Sequence, residues 1–310
     1  MDTLLQQLLN GLLLGSLYAL IALGYTMVYG ILRIINFAHG DLLMVGALVG
    51  LSTISLLQAS LPGLAPLLTL AIATLIAMGL CAVLGILVER LAYRRLRSAP
   101  RLAPLISGIG VSLLLQTLAM LIWSRNPQMF PQLLPLEPIE LAHGAITHVT
   151  ALSTIAIALA LMLGLLLLIE RTRLGRAMRA VAENPQVASL MGIDPNRVIV
   201  LTFAIGGALA ALAGIMLASN VGSANFYMGF LPGIKAFTAA VLGGIGNLKG
   251  AMLGGLLLGL IEALGTGYLG ALSGGTFGSN YQDVFAFIVL IAVLVLRPSG
   301  LLGERLATRA

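Results

Sequence analysis

Charged side chains are scarce in this 310-residue sequence. Only 9% of the residues are Asp, Glu, Lys or Arg, whereas 59% are hydrophobic. A soluble domain carries about a quarter charged residues, because its surface must face water. The composition therefore excludes an ordinary soluble protein. Recurring apolar runs of about 20 residues indicate helices that cross a bilayer core, which is about 30 Å thick.

Lysine and cysteine are also rare, and each shortage excludes a class of site. The only lysines, Lys235 and Lys249, are not followed by Ser or Thr, so neither belongs to a phosphate loop. We therefore expect no ATPase activity in this chain. The single cysteine, Cys81, lies in an apolar run and is interpreted as a small buried hydrophobe. No disulfide, Cys/His metal site or cofactor is expected.

The apolar runs predict an all-α fold, a polytopic transmembrane helical bundle of eight to nine spans that forms a single domain over 1–310. The first run is too long for a signal peptide and lacks its basic start, so we expect it to remain as a span. The seventh follows Pro232 and ends in glycines, so a crossing and a re-entrant or broken helix both stay open. The predicted spans lie at about 4–30, 41–58, 64–89, 102–124, 149–169, 198–219, 227–246, 250–270 and 282–297.

Arginine clusters predict the orientation of the chain, because cytoplasmic loops carry an excess of Arg and Lys. The loops after the third and fifth spans and the C-terminal tail are expected to be cytoplasmic, and the loop 125–148 external. The net charge of +6 is then explained by the arginines of the cytoplasmic loops, and no nucleic-acid partner is expected. The arginines concerned are Arg90, Arg94, Arg95, Arg97, Arg101, Arg171, Arg173, Arg176, Arg179, Arg297, Arg305 and Arg309.

Small residues recur every four positions in three of the predicted spans. In lipid, such ladders let helix backbones approach closely. We interpret them as packing faces, with a sliding interface as the alternative. The ladders are Gly11, Gly15 and Ala19; Gly206, Ala210, Gly214 and Ala218; and Gly246, Gly250 and Gly254.

The segment 171–197 contains two helix-start signals of the same kind, Asn184-Pro185 and Asp194-Pro195. Each is a capping residue followed by proline at the first helical position. Gly192 suits the left-handed position after a helix end. The spacing predicts a short helix over 186–191, half of whose surface is apolar. Such a helix fits either a docking site for a peripheral partner or a folded connector.

Polar residues interrupt the junction between the first two spans, at Asn36, His39 and Asp41. In the structural interpretation, Asp41 complements the positive end of the second helix, and Gly40 relieves the turn. The alternative is a role in the pathway or gate. A catalytic role for His39 with Asp41 is disfavoured, because no nucleophile or metal set accompanies them.

Glu262 lies near the middle of the eighth span, where an unpaired charge costs about 2.5–3.5 kcal/mol. It must therefore face protein or water. Lys235 in the seventh segment is the candidate partner, and we hypothesise a Glu262–Lys235 pair. The pair is interpreted as a helix–helix contact. Ion coupling, as in a secondary transporter that acts alone, is the alternative.

Taken together, eight segments resemble the permease subunits of bacterial branched-chain amino-acid ABC importers, in particular the H-type subunit of the Liv-type system. The resemblance runs over roughly residues 4–304. The segments are LGSLYALIALGYTMVYG (14–30), INFAHGD (35–41), RAVAE (179–183), LMGI (190–193), RVI (197–199), GIKAFTAAVLGGIG (233–246), EAL (262–264) and RPSGLLG (297–303).

The resemblance implies an assembly in the bacterial inner membrane. It would contain two permeases, usually non-identical, two ABC ATPase subunits and a periplasmic substrate-binding protein. ATP hydrolysis by the partner subunits would drive the import of leucine, isoleucine and valine. Related sequences carry urea or short amides, so these substrates remain an alternative.

The resemblance also implies roles for individual residues. The segment 171–197 corresponds to the part that docks on the ATPase, although it departs from the EAA-x3-G pattern of many importers. The residues implied in ATPase coupling are Glu183, Pro185, Val187, Leu190, Met191 and Gly192. The residues assigned to the pathway or gate are Asn36, His39, Asp41, Lys235 and Glu262.

Overall fold

A computed structural model describes residues 2–97, 99–100, 102–135, 137–141, 144–269, 281–297 and 299–303 of the chain. The predicted topology residues Arg101, Arg305 and Arg309 lie outside these ranges. The all-α polytopic bundle expected from the apolar runs is confirmed. Its helices are α1 (Asp2–Leu32), α2 (His39–Ser60), α3 (Pro66–Val88), α4 (Leu102–Trp123), α5 (Val149–Arg171), α6 (Arg173–Glu183), α7 (Pro185–Leu190), α8 (Pro195–Val221), α9 (Phe230–Gly243), α10 (Leu248–Leu264) and α11 (Gln282–Leu296).

Within the described ranges, seven helices are long and apolar enough to cross a membrane: α1 to α5, α8, and α10 together with the π-helical turn Gly265–Leu269 that continues it. The helices α9 and α11 are apolar but contain only 14 and 15 residues. At about 1.5 Å per residue they are about 21 and 23 Å long, which is less than the bilayer core of about 30 Å. The predicted count of eight to nine crossings therefore remains a prediction.

Three helices, α1, α2 and α8, form the inside of the bundle, with more than half of each apolar window buried. The predicted glycine ladders bring them close to their neighbours. A methyl group on Gly15 would lie 2.8 Å from the Cα of Leu256 in α10, and one on Gly214 would strike the carbonyl of Leu43 in α2. The packing interpretation of the ladders is confirmed, and the sliding interface stays untested.

Short strands mark one end of the bundle, the end at which α4 finishes. The strand β1 (Gln128–Met129) pairs with β4 (Ser223–Ala224), and β2 (Pro138–Glu140) pairs with β3 (Ile146–His148). The start of α1 lies at the same end, because the backbone N–H of Ile146 donates to the side chain of Gln6 at 2.8 Å.

The opposite end of the bundle holds the C-terminus of α5. There Lys249 pairs with Glu170 at 2.7 Å, and the N–H of Leu301 donates to the carbonyl of Leu242 at 2.9 Å. Since β4 lies at the first end, the chain passes from one end to the other between Ala224 and Gly243. It does so through a turn followed by α9.

Candidate functional site

The junction between α1 and α2 is a sharp reversal inside the protein. Helix α1 is followed by Arg33, a non-glycine residue with a φ of 54°, which is the left-handed conformation common after helix ends. Asn36, His39 and Asp41 follow, and all three are buried. Although they are close in sequence, the structure directs them to different neighbours.

Asn36 connects the junction to the end of α3. The hydroxyl of Tyr93, a fully buried side chain, donates to the Oδ1 of Asn36 at 3.0 Å. Tyr93 belongs to a π-helical turn, Glu89–Tyr93, that extends α3. Its ring also packs on Phe203 of α8, with ring centroids 5.6 Å apart.

His39 packs in the core between α1 and α8. Its imidazole lies edge-on to Tyr25, with ring centroids 4.8 Å apart. Gly24 makes room for the ring, because a methyl group there would overlap the Nε2 of His39. That nitrogen has no hydrogen-bond partner among the residues the structure describes. His39 therefore contributes to packing and does not contact the cavity beside Asp41.

Asp41 lies at a cavity of about 180 Å³ between α2, α4 and α9. Its Oδ1 accepts a hydrogen bond from the Nε2 of Gln116 at 2.9 Å, and the same nitrogen donates to the Oγ of Ser112 at 3.3 Å. The side chains of Phe37, Phe230, Phe237 and Ile109 also line the cavity. Sequence reasoning missed Gln116, although a polar amide within an apolar span was a usable signal.

Gly40 has a different role from the one predicted. It is a helical residue of α2 and does not relieve a turn. A methyl group there would lie 2.6 Å from the carbonyl oxygen of Gly229 and 3.2 Å from the Cα of Gly233. The glycines therefore allow the start of α2 to touch the start of α9.

The hypothesised pair of Lys235 and Glu262 is present, with the Nζ of Lys235 3.1 Å from the Oε2 of Glu262. Glu262 is fully buried, and Lys235 is 7% exposed. The same carboxylate oxygen accepts from the hydroxyl of Tyr18 at 2.9 Å and from the amide of Gln282 at 2.8 Å. Lys235 also pairs with Asp283 at 2.6 Å. The cluster thus joins α1, α9, α10 and α11.

Sequence reasoning found two members of this cluster and missed Tyr18, Gln282 and Asp283. Tyr18 is a tyrosine within a span, and Gln282 and Asp283 are polar residues near the start of one. Both patterns are common in membrane helices, so neither indicated a buried cluster. Their convergence depends on how the four helices pack. The contacts favour the structural interpretation of Lys235 and Glu262 as a joint between helices.

The short helix α7 begins as predicted. Asn184 accepts hydrogen bonds from the backbone N–H groups of Gln186 and Val187 at 2.9 and 3.1 Å. The helix covers Pro185–Leu190, so it starts and ends one residue earlier than predicted. Gly192 follows with a φ of 80°, which is the expected left-handed stop.

The apolar side of α7 faces outward. The side chains of Val187, Leu190 and Met191 are 53%, 87% and 78% exposed, whereas Ala188 is buried. Glu183, at the end of α6, is also exposed. This surface lies in the connection between α5 and α8, beyond both helices, and no described part of the chain covers it.

A third buried carboxylate lies near this connection. Glu89 is fully buried and pairs with Arg94 at 3.0 Å and with Arg97. Arg97 also donates to the Oδ1 of Asn196, at the start of α8, at 2.7 Å. Burial lowers the pKa of the Arg97 guanidinium, and the Glu89 carboxylate opposes that shift. Sequence reasoning treated Arg94 and Arg97 only as topology signals.

The sequence matches the family described as "Branched-chain amino acid transport system / permease component" over residues 7–294. The chain belongs to this permease family. It is 47% identical over 303 residues to the high-affinity branched-chain amino acid transport system permease protein BraD of Pseudomonas aeruginosa, with 97% of this chain and 96% of that protein covered.

Other relatives include a second permease named for branched-chain amino acids and a more distant permease named for another substrate. The chain is 45% identical over 305 residues to the high-affinity branched-chain amino acid transport system permease protein LivH of Escherichia coli, with 97% of this chain and 96% of that protein covered. It is 28% identical over 287 residues to the autoinducer 2 import system permease protein LsrC of Yersinia enterocolitica, with 91% and 72% covered. Together with its apolar helices, these matches identify the chain as a multi-pass membrane permease.

Proposed function

We propose that this chain is a membrane-spanning permease subunit of an ATP-driven importer in the bacterial inner membrane. Its substrates are branched-chain amino acids: leucine, isoleucine and valine. The near full-length identity of 47% to a permease named for branched-chain amino acid transport supports this substrate class. The exposure of the apolar side chains Val187, Leu190 and Met191 is the observation that supports the ATP-driven part of the proposal.

The apolar side of α7 is the proposed docking site for an ATPase subunit. Exposed apolar side chains on a short helix typically bind in a groove of a partner. Two ATPase subunits, one on each of two non-identical permeases, complete the cytoplasmic side, and a periplasmic binding protein delivers the substrate. The coupling residues in this proposal are Glu183, Pro185, Val187, Leu190, Met191 and Gly192.

We further propose nine crossings, with α7 and the C-terminus in the cytoplasm. The loop after α3 and the segment 171–197 both carry clustered arginines, which favours their cytoplasmic location. The turn that precedes α9 adds its length to that helix, so the two together provide a crossing. The loop 125–148 is then periplasmic.

The pathway residues take different parts in this proposal. Asp41 faces the cavity beside α4, whereas Asn36 and His39 hold the start of α2 in place. Lys235 and Glu262 hold four helices together and are not ion-coupling groups. This division is supported by the contacts that each of the five side chains makes.

Uptake by the reconstituted transporter tests the proposal. Proteoliposomes that contain this chain, the second permease and both ATPases should accumulate leucine when ATP and the loaded binding protein are supplied. Uptake by this chain alone would contradict ATP-driven import and favour a secondary transporter. Uptake of urea or a short amide in place of leucine would overturn the substrate assignment only.

A charge on α7 tests the docking site separately. Leu190→Glu should abolish co-purification of the ATPase and reduce leucine uptake at least tenfold, because it places a carboxylate in an apolar contact. Leu61→Glu is the matched control, since Leu61 is also exposed, at 54%, but follows α2 at the other end of the bundle. Normal ATPase recovery with Leu190→Glu would contradict the docking proposal.

A further inference from the structure

The carboxylate of Asp41 is buried at the start of α2, away from the cations of the described residues. The residue is 3% exposed, and within the described part of the chain no Lys or Arg nitrogen forms a salt bridge with it. Its hydrogen bond from Gln116 is to a neutral amide. Buried charges in proteins are normally paired. Glu89 and Glu262 follow that rule in this protein, and Asp41 does not.

The cavity beside Asp41 has room for a small cationic group. Its volume of about 180 Å³ slightly exceeds the cavity of about 150 Å³ that binds benzene in an engineered protein. One small molecule fits, and a peptide does not. The apolar part of the lining includes Phe37, Phe230 and Phe237.

The start of α9 also borders the cavity, and it lies against Gly40, the residue before Asp41. Gly229 and Phe230 line the cavity there, and the helix has neither a side-chain cap nor an acidic residue in its first turn. A helix N-terminus carries a partial positive charge, and half-helices that begin within a membrane protein use it to hold substrate carboxylates. The N-terminus of α2 differs, because Asp41 already complements it.

We propose that this cavity binds one zwitterionic amino acid with an aliphatic side chain during its passage through the permease. The Asp41 carboxylate receives the ammonium group, the start of α9 receives the carboxylate, and the aromatic wall receives the side chain. The inference rests on the proposed import function and names the binding site within it.

Protection of an introduced thiol tests the site without relying on transport. In the assembled transporter carrying Cys81→Ser, Leu113→Cys places a thiol at the cavity, whereas Leu114→Cys places one on the same helix outside it. The two leucines are similarly exposed, at 60% and 56%. The rate of maleimide modification is measured with leucine, with 4-methylpentanoate, which lacks the ammonium group, and with neither.

Leucine should slow modification at position 113 at least fivefold and leave position 114 unchanged. 4-Methylpentanoate should give no protection, and Asp41→Asn should remove the protection by leucine. The modification rate at position 114 in the Asp41→Asn protein reports whether that variant is folded, and Gln116→Leu provides a second variant with the same expected loss.

Three results would overturn the site: no protection at position 113, equal protection at both positions, or protection that persists in Asp41→Asn. Each leaves the import function intact if ATP-dependent leucine uptake is still measured in the parent transporter. Conversely, if the parent transporter takes up no leucine, the proposed import function is contradicted, whatever the labelling result.

Discussion

Glu89 and Glu262 are both fully buried carboxylates, yet they are neutralised in different surroundings. Glu89 lies at the end of α3 and pairs with Arg94 and Arg97, whose side chains are 40% and 20% exposed. Glu262 lies within α10 and pairs with Lys235, whose side chain is 9% exposed. The cations that pair with Glu89 are partly exposed, whereas the cation that pairs with Glu262 is buried.

The difference shows how burial of a charge pair changes the cost of removing one of its partners. Arginine can keep its apolar stem on the protein while its guanidinium stays near water, so the Glu89 cluster can tolerate rearrangement. In the Glu262 cluster the cation itself is buried, with a Lys235 side chain only 9% exposed, and the members of the cluster come from four helices. A charge left alone there has the largest cost.

The largest expected effect is that of Lys235→Met. This change leaves the buried Glu262 without its cation and should lower the free energy of unfolding by about 3–5 kcal/mol. Titration of the purified protein with SDS in mixed micelles measures it. The double variant Lys235→Met/Glu262→Gln should recover most of the loss, because no charge remains at the fully buried position. Asp283 also loses Lys235, but its side chain is 44% exposed.

Lys249→Met is the matched control for that measurement. Lys249 is the other lysine of the chain, and its side chain is 61% exposed in a pair with Glu170. Exposed pairs contribute little to stability, so the unfolding transition should not move. Equal losses for the two lysine variants would contradict the comparison between deep and superficial pairs.

An intermediate effect is expected for Glu89→Gln. It leaves Arg97 with a neutral partner, but Arg94 can turn to water, so the loss should be about 1–2 kcal/mol in the same titration. A loss as large as that of Lys235→Met would mean that the Glu89 cluster is as rigid and as inaccessible to water as the Glu262 cluster.

The smallest effect is expected for Asn196→Ala. It removes the 2.7 Å hydrogen bond between Arg97 and the start of α8 and should cost about 0.5–1 kcal/mol, because the contact is exposed. Combining it with Glu89→Gln measures the coupling between the two contacts of Arg97. Strictly additive losses would show that the two contacts are independent.

Local signals predicted most of the helices and the start of α7. Apolar runs of membrane length placed α1, α5 and α8 within three residues of their observed ends, because a helix in lipid must satisfy its own backbone. The cap at Asn184 was predictable for a similar reason, since a capping side chain acts on N–H groups two and three residues ahead. The seventh predicted span was harder, because α9 begins inside the bundle.

The residues that converge from distant parts of the chain were not predictable in the same way. Tyr18 and Asp283 are more than 260 positions apart, and both contact Lys235. Gln116 reaches Asp41 from another helix. No local preference encodes such contacts, because they depend on which faces of the helices meet.

The sequence by itself determined the membrane-spanning class, most of the helix bounds and the apolar helix α7, which follow from composition and short-range patterns. Its resemblance to known permeases indicated the family. Only the tertiary structure decided that His39 is a packing residue, that Gly40 brings two helix starts together, and that Asp41 lines a cavity. The physical reason is that close packing of α1, α2, α8 and α9 directs three neighbouring polar side chains to three different surroundings.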